Sequence, residues 1–303
     1  MLLTSSYFYV SITVDIKNRK ELIVQISNAK IVQNIMDINK FYRQNGEKPL
    51  DNIVANGGFC ASFRTISCIG DSLSSGEFES MENGLKGYHD MFEYSWGQYI
   101  ARDAGCTVFN MSRGGMTAKE FVESFARLSG FYEDKYKSQA YIIALGVNDI
   151  TQMLNGSLEF GDISDVDLSD CAKNKPTFVG YYAKIIAKFH EIQPKAKFFL
   201  MTIPHEDHDA KRLELEDRHS KLLHELANMF DNCYVLDFRK YAPVYDNEFK
   251  ANFYLGGHLN ASGYRLTALM VESYIDYIMR NNAEDFLQVG FIGTPFHNTV
   301  AKW

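Results

Sequence analysis

The feature that most constrains the fold is a strict alternation of short apolar runs with helical stretches, from residue 64 to about residue 282. The apolar runs are rich in β-branched and aromatic residues. Several are apolar at consecutive positions, as in parallel strands that are covered on both faces. Strands and helices that alternate in this way form right-handed βαβ units around a parallel sheet. The pattern therefore predicts a three-layer α/β/α sandwich, with five strands at residues 65–69, 107–111, 140–145, 197–202 and 234–238.

Helical periodicity defines the segments between these strands. Apolar residues recur at i, i+4, i+7, i+11 and i+14 from Phe178 to Ile192, which places them on one face of a helix. That helix must end before Pro194, because the residue before a proline disfavours helical geometry. Further helices are predicted at residues 96–104, 118–128, 215–229 and 262–279.

Residues 1–63 stand outside this alternation. They contain a predicted strand at 7–14 and a predicted amphipathic helix at 21–42, although residues 22–26 could instead form a second strand. We expect this segment to be either a cap on the sandwich or a dimerisation arm. The predicted organisation is an extension at 1–63 and a main domain at 64–303, with a C-terminal tail at 283–303.

Charge and cysteine content exclude several classes of protein. The chain has 31 Lys and Arg against 38 Asp and Glu, a net charge of −7. A general nucleic-acid binder is therefore not expected, because it needs clustered positive charge. The five cysteines are widely spaced and form no CxxC pair, so we expect free thiols rather than a disulfide framework or a structural zinc site.

No run of about 18 apolar residues occurs, so no membrane span is expected. The first residues lack a basic segment before their apolar stretch. We therefore expect a cytoplasmic protein, or a secreted one if the start of the gene is misassigned.

Four short blocks rich in polar residues and glycine follow the predicted strands or open a helix. Ligands of open α/β sheets bind at the carboxyl ends of the strands, so all four blocks lie where a site is expected. The first block places Ser72 in a glycine-containing turn, a suitable position for a nucleophile. It is not a G-x-S-x-G elbow, because Ser74 stands in place of the second glycine. The blocks are residues 68–76, 110–117, 145–149 and 256–264.

Taken in order, the four blocks resemble those of the SGNH hydrolases, also called the GDSL esterase/lipase family, over about residues 64–282. The resemblance implies a flavodoxin-like sandwich with strand order 2-1-3-4-5 and a serine ester hydrolase that works through an acyl-enzyme. By position, Ser72 matches the family's nucleophile and His258 its general base. The family's three oxyanion donors are matched by the backbone N–H groups of Ser72 and Gly115 and by the side-chain amide of Asn148.

These residue types suit that chemistry. A serine hydroxyl is a weak nucleophile until a neighbouring imidazole removes its proton. The resulting oxyanion needs donors that are already in place, and the loss of one donor costs about 10²–10³ in rate.

One position departs from the family pattern: Leu255 stands where the family usually carries an aspartate, three residues before His258. Three interpretations are open. Ser72 and His258 could act as a dyad, with a backbone carbonyl or water orienting the imidazole; another acid could replace the aspartate; or the protein is a non-catalytic relative. The acid is the triad member whose loss costs least, so we expect an active enzyme. The candidate substitute acids are Asp246, Glu248, Asp207 and Asp209.

Substrate-binding candidates surround the blocks. Arg113 could meet a polar group of the substrate or form a plain salt bridge. His205 follows the fourth strand, and Asp149 lies beside Asn148, where a structural acceptor is the more common role. The acidic residues 150–176 predict either a lid or binding loop, or a solvated insertion.

The expected substrate is a small polar carboxylic ester, first of all an O-acetyl carbohydrate. A short-chain lipid ester or thioester, and a non-catalytic carbohydrate-binding protein, are the alternatives. We expect no metal and no other cofactor, no nucleic-acid partner, and a homodimer if residues 1–63 form an arm.

Overall fold

The computed structural model of the protein describes residues 38–303. From Gly46 to Trp303 the chain forms one compact unit, whereas residues 38–45 belong to an N-terminal unit and include a 3₁₀ helix, Ile38–Phe41. The strand predicted at 7–14 and most of the helix predicted at 21–42 lie outside the described residues. The role of residues 1–63 as a cap or a dimer arm stays a prediction.

Strands and helices alternate through the described chain. The strands of residues 38–303 are β1 Thr65–Gly70, β2 Glu77–Glu82, β3 Leu85–Asp90, β4 Thr107–Ser112, β5 Ala140–Ala144, β6 Lys197–Met201, β7 Cys233–Leu236, β8 Tyr254–Leu255 and β9 His258–Leu259. The α-helices are α1 Ser72–Ser75, α2 Trp96–Ala104, α3 Ala118–Glu120, α4 Ala126–Leu128, α5 Val147–Leu154, α6 Phe178–Ile192, α7 Ala210–Met229, α8 Phe238–Tyr241, α9 Asn247–Phe253, α10 Ala261–Asn281 and α11 Ala283–Phe286.

The central sheet has five parallel strands in the order β4-β1-β5-β6-β7. Counted along the chain, this is the order 2-1-3-4-5, so the predicted α/β/α sandwich is confirmed. All five predicted strands are present, and their ends differ from the prediction by one or two residues. The connection from β4 to β5 leaves β1 between these two strands, inside the sheet, and Ser72 follows β1 almost directly.

Each face of the sheet carries its own apolar core. Ile66 and Ile142 point to the face covered by α2 and α10, whereas Ile69 and Ile143 point to the face covered by α6 and α7. Side chains of a strand alternate between faces, so consecutive apolar positions fill both cores. The sheet is therefore fixed on both sides, and its carboxyl edge presents the four blocks.

A β-hairpin that was not predicted follows the nucleophile block. Strands β2 and β3 pair antiparallel, with Glu79 opposite Tyr88. Their turn is Asn83-Gly84, with φ of +52° and +79°, as the tight hairpin turns require. Because strand side chains alternate, Glu77, Glu79 and Tyr88 share one face of the hairpin. The Asn-Gly pair is the sequence signal that could have revealed this element.

The helices agree with the prediction except in two places. The helix predicted at 118–128 contains a π-helical turn, Phe121–Phe125, between α3 and α4. Helix α5 extends into the acidic segment 150–176, which also contains the 3₁₀ helices Ile163–Asp165 and Cys171–Lys173.

The C-terminal tail packs on the body. The Gln139 amide donates to the carbonyls of Val289 and Ile292, and Lys195 lies over the Trp303 ring. The five cysteines are free. No helix within residues 38–303 combines the length and apolarity needed to cross a bilayer.

Candidate active site

Ser72 begins helix α1 at the carboxyl end of β1. The preceding Asp71 caps this helix, because its carboxylate accepts the backbone N–H of Leu73 at 3.0 Å. The helix ends at Gly76, whose φ of +84° is the left-handed geometry that favours glycine. Among residues 38–303, the Ser72 hydroxyl has no hydrogen-bond partner, so no structural contact holds it.

Asn148 joins the three loops that carry the predicted oxyanion donors. Its side-chain amide donates to the carbonyl of Met116 at 3.2 Å and to Oδ2 of Asp71 at 3.4 Å. Met116 follows Gly115, and Asp71 precedes Ser72. The amide therefore lies beside both backbone groups that are predicted to bind the oxyanion. Gly115 itself is exposed and has a φ of +72°.

Two buried carboxyl groups brace these loops. Asp149 is fully buried, and its Oδ1 accepts the backbone N–H of Ala118 at 2.9 Å. Burial raises the pKa of Asp149 to about 7 and that of Asp71 to about 6. Asp149 was a substrate-binding candidate, but the structure encloses it and pairs it with a neighbouring loop.

His219 supports the Asn148 loop from the buried side. Its Nε2 lies 2.9 Å from the carbonyl of Leu145. Gly146 adopts a φ of +142°, and a Cβ at this position would lie 2.5 Å from His219 Nε2. Burial lowers the pKa of His219 to about 4, so the ring is neutral at pH 7 and Nε2–H donates to the carbonyl.

His258 lies in β9, and both of its ring nitrogens contact carboxylates of the hairpin. Nδ1 lies 3.0 Å from Oε1 of Glu79, and Nε2 lies 3.1 Å from Oε1 of Glu77. The structure shows no hydrogen bond between Ser72 and His258, because Glu77 occupies the nitrogen that a serine would use. Helix α1 nevertheless contacts β9. Tyr264 Oη also donates to the Glu77 carbonyl at 2.7 Å and to the Ser72 carbonyl at 3.4 Å.

Glu79 occupies the place of the missing acid. Besides His258, it accepts the backbone N–H of Gly257 at 2.8 Å and pairs with Lys86 at 3.0 Å. The hydrogen bonds from Lys86 and His258 lower the pKa of Glu79 to about 2. The carboxylate is therefore ionised over the whole working range of an esterase, as an acid that orients an imidazolium must be.

Two consecutive glycines make room for this carboxylate. A Cβ on Gly256 would lie 2.2 Å from Glu79 Oε2, and one on Gly257 would lie 2.7 Å from Oε1. Side chains at either position would displace Glu79. The Gly-Gly pair before His258 is thus a sequence signal for an acid that arrives from elsewhere in the chain.

None of the four predicted substitute acids is a partner of His258 among the described residues. Asp246 and Asp209 cap α9 and α7, where each accepts backbone N–H groups of the first turn. Asp207 and Glu248 are exposed. The carboxylate that contacts Nδ1 of His258 is instead Glu79, which the hairpin brings from 179 residues earlier in the chain.

The two remaining candidates for substrate binding, Arg113 and His205, make contacts within the protein. Arg113 pairs with Glu120 and lies over the Phe125 ring, so the salt-bridge alternative describes its contacts. The backbone carbonyl of His205 accepts the N–H of Tyr245 at 2.8 Å.

The carboxylates of residues 150–176 stabilise local turns. Asp162 and Asp165 form a capping box around one 3₁₀ helix, and Asp170 caps the next. Asp165 also pairs with Lys175 at 2.7 Å. The acidic composition of the segment therefore has a structural use.

Glu77 spans the gap between His258 and the loop of the second block. While its Oε1 contacts His258, its Oε2 lies so close to Gly114 that a Cβ there would be 2.2 Å away. The Glu77 side chain is 13% exposed. The Tyr88 ring meets the His258 ring edge-on, with centroids 5.9 Å apart.

A small cavity of about 50 Å³ lies beside α1 at the carboxyl edge of the sheet. Most of its lining is apolar, and Asp71 and Ser74 contribute its polar part. The lining residues are Asp71, Leu73, Ser74, Ala144, Leu145, Val147, Met201, Thr202, Ile203 and Pro204. On the other side of α5, an open groove of about 600 Å³ is lined by Thr117, Lys119, Glu120, Glu123, Ser124, Gln152 and Ser157.

Comparison with known proteins supports this description. The sequence model of the GDSL-like lipase/acylhydrolase family matches residues 68–266, which include all the predicted catalytic and oxyanion residues. Among curated protein sequences, no significant match to this chain was found.

Solved structures of two esterases are similar to this chain at low identity. A family two carbohydrate esterase from Clostridium thermocellum, solved with cellohexaose, is 15% identical with a TM-score of 0.49; the match covers 80% of this chain and 67% of that one. An acetyl xylan esterase, AlAXEase, is 19% identical with a TM-score of 0.46, and the match covers 70% of this chain and 99% of that one.

Proposed function

The chain belongs to the GDSL-like lipase/acylhydrolase family and is a carboxylic ester hydrolase; from that premise, we propose that it removes acetyl groups from carbohydrates with a Ser72–His258–Glu79 triad. The acid of this triad comes from the hairpin instead of from the position of Leu255. The single observation that carries the proposal is the 3.0 Å contact between Glu79 Oε1 and His258 Nδ1.

The proposed reaction follows the usual division of roles in a triad. Ser72 Oγ attacks the acyl carbonyl while His258 Nε2 takes its proton and then gives it to the leaving alcohol. Glu79 accepts a hydrogen bond from Nδ1–H and stabilises the imidazolium. The oxyanion is bound by the N–H groups of Ser72 and Gly115 and by the Asn148 amide, and water then hydrolyses the acyl-enzyme.

The size of the cavity beside α1 supports a short acyl group. This cavity, of about 50 Å³, begins at Leu73, the residue after Ser72, and a small acyl group suits its size. The apolar lining from Leu73 and Met201 suits a methyl group.

The groove that we assign to the alcohol part of the ester supports a polar substrate. The open groove beside α5 is lined by hydroxyl, carboxylate, amide and ammonium side chains, which offer hydrogen bonds to a polyhydroxylated alcohol. A lipid alcohol would instead need an apolar surface of comparable size.

Replacement of Ser72 tests the proposal. We expect the wild type to hydrolyse p-nitrophenyl acetate faster than p-nitrophenyl octanoate, to release acetate from acetylated xylan and to react with a fluorophosphonate probe. Ser72→Ala should lose all of these activities, because no other group can form the acyl-enzyme.

The alternatives give different results. A preference for octanoate would identify a lipid esterase. An unlabelled wild type that still binds xylo-oligosaccharides would identify a non-catalytic carbohydrate-binding protein.

A further inference from the structure

Glu77 has a contact that the proposed reaction cannot use. His258 Nε2 must be free to take the Ser72 proton, yet here it lies 3.1 Å from Glu77 Oε1. While Nε2 shares a hydrogen bond with this carboxylate, its lone pair is not available to the Ser72 proton. The Glu77 carboxylate must therefore leave Nε2 before the reaction begins.

The displaced carboxylate stays near the reacting atoms. The backbone of Glu77 is tethered, because its carbonyl accepts the Tyr264 hydroxyl at 2.7 Å and β2 pairs along its length with β3. Its side chain packs against Gly114, one residue before the oxyanion candidate Gly115. Only rotation of the side chain is available, so the carboxylate remains near Nε2, the atom that gives its proton to the leaving alcohol in the proposed reaction.

The surroundings offer Glu77 acceptors instead of donors. The carboxyl groups of Asp90, Glu79 and Asp71 lie close enough to Glu77 to disfavour its negative charge. Lys86 is paired with Glu79, and Arg113 is paired with Glu120. Because the Glu77 side chain is only 13% exposed, a carboxylate that leaves His258 in this place needs another hydrogen-bond donor.

We propose, resting on the function proposed above, that Glu77 selects esters whose alcohol carries a free hydroxyl beside the ester oxygen. Such a hydroxyl donates to Glu77 as the carboxylate leaves His258. The proton that lay between Nε2 and Glu77 passes to solvent water, which reaches both side chains, and Nε2 is then free to act as the base. The substrate class this defines is a partly acetylated sugar with an unprotected neighbouring hydroxyl. A fully substituted sugar leaves Glu77 on His258.

The test compares two neutral esters that differ only in that hydroxyl. One is a methyl xyloside with a single acetyl group and free neighbouring hydroxyls, and the other is its O-methylated counterpart. We expect wild-type kcat/KM to be about 10–100-fold higher for the first, the value of one hydrogen bond to a charged group. In Glu77→Ala the preference should fall to within about threefold, and the turnover of p-nitrophenyl acetate should rise because Nε2 is released.

Glu82→Ala is the matched control, because Glu82 is exposed on the same strand and its side chain points to the opposite face. It should keep the wild-type preference. A Glu77→Ala protein that retains the preference, with normal turnover of p-nitrophenyl acetate, overturns this inference alone. A wild type that turns over neither p-nitrophenyl acetate nor the monoacetylated xyloside overturns the proposed function, and this inference with it.

Discussion

At the scale of single residues, two carboxylates of the hairpin contact the His258 ring, and Glu79 is the one on Nδ1. Glu79 contacts Nδ1, the Gly257 N–H and Lys86, so three donors hold it in place. A neutral side chain at this position would keep some of the hydrogen bonds but would lose the charge that stabilises the imidazolium.

The substitution Glu79→Gln removes this charge and changes the shape of the side chain very little. We expect kcat for p-nitrophenyl acetate to fall by about 10³–10⁴-fold, as when a triad aspartate is replaced by its amide. The measurement is steady-state kinetics on folded protein. Glu248→Gln, and Asn at Asp207, Asp209 or Asp246, should each leave kcat within about tenfold, because these acids are exposed or cap helices. A loss in one of them as large as that in Glu79→Gln would show that the acid had been wrongly placed.

A second buried acid affects stability. Glu272 is fully buried in α10, and neither of its carboxyl oxygens has a hydrogen-bond partner in the described part of the chain. Burial, together with the nearby Asp103, raises the pKa of Glu272 to about 8. Between about pH 4.5 and pH 8 the folded state therefore holds a proton that the unfolded state has released, so stability falls as the pH rises through this window.

Glu272→Gln should remove this pH dependence. We expect Tm to exceed that of the wild type by about 3–6 °C at pH 8 and to equal it near pH 4, where the carboxyl is protonated in both states. Thermal unfolding at the two pH values measures the difference. An equal effect at both pH values would mean that packing, and not the charge, is responsible.

At the scale of elements, the hairpin of β2 and β3 is more exposed to solvent than the central sheet. Its residues are mostly exposed, with Met81 and Leu85 facing solvent, whereas the strands of the central sheet are mostly buried. The register of its strands sets the position of both carboxylates on His258. That register depends on the turn at Asn83-Gly84.

Gly84→Val should misplace Glu79 without unfolding the protein. A β-branched residue disfavours the φ of +79°, so we expect kcat to fall at least tenfold while the main thermal transition moves by less than about 2 °C. Gly290→Val is the control, because Gly290 is exposed and a Cβ there meets nothing within 4 Å. Unchanged kcat in Gly84→Val would show that the turn does not set the register.

The central strands and the long helices were predictable because their apolar periodicity is imposed by two packed cores. The expected roles of Ser72, Asn148 and His258 came from the resemblance of their sequence blocks to those of the SGNH hydrolases, and the ends of the strands explain why these blocks lie at one edge of the sheet. Glu79 was not predictable from spacing, because its contact with His258 depends on the register of a solvent-exposed ribbon. The Asn-Gly turn and the Gly256-Gly257 pair were local signs of it.

At the scale of the whole molecule, a buried ion cluster anchors the start of the compact unit. Arg280, in α10, donates to both carboxylate oxygens of Glu47 at 2.6 and 2.7 Å and to Asp276 at 2.8 Å. The Arg280 side chain is 2% exposed. Asp276 also accepts the N–H of Phe59 at 2.8 Å, so this cluster holds residues 46–63 against the helix.

Glu47→Ala should loosen this anchor. Breaking a buried ion pair leaves a charge without its partner, and we expect a loss of about 3 kcal/mol in unfolding free energy, or about 10 °C in Tm. Activity at 25 °C should stay within twofold, because α10 separates Arg280 from the His258 end of the helix by about 30 Å. Glu284→Ala, which removes an exposed pair with Lys302, should change Tm by less than about 2 °C. A much smaller loss of unfolding free energy in Glu47→Ala would indicate that water takes the place of the Glu47 carboxylate beside Arg280.

The placement of Glu79 on the hairpin has a consequence for heating. A two-stranded ribbon is marginally stable by itself, whereas the sheet is secured by a core on each face. When the hairpin opens, His258 loses its contact with Glu79, while the two apolar cores of the sheet remain folded. We expect esterase activity to be lost at a temperature several degrees below the Tm of the protein. The activity should recover on cooling, because no apolar surface that could aggregate has been exposed.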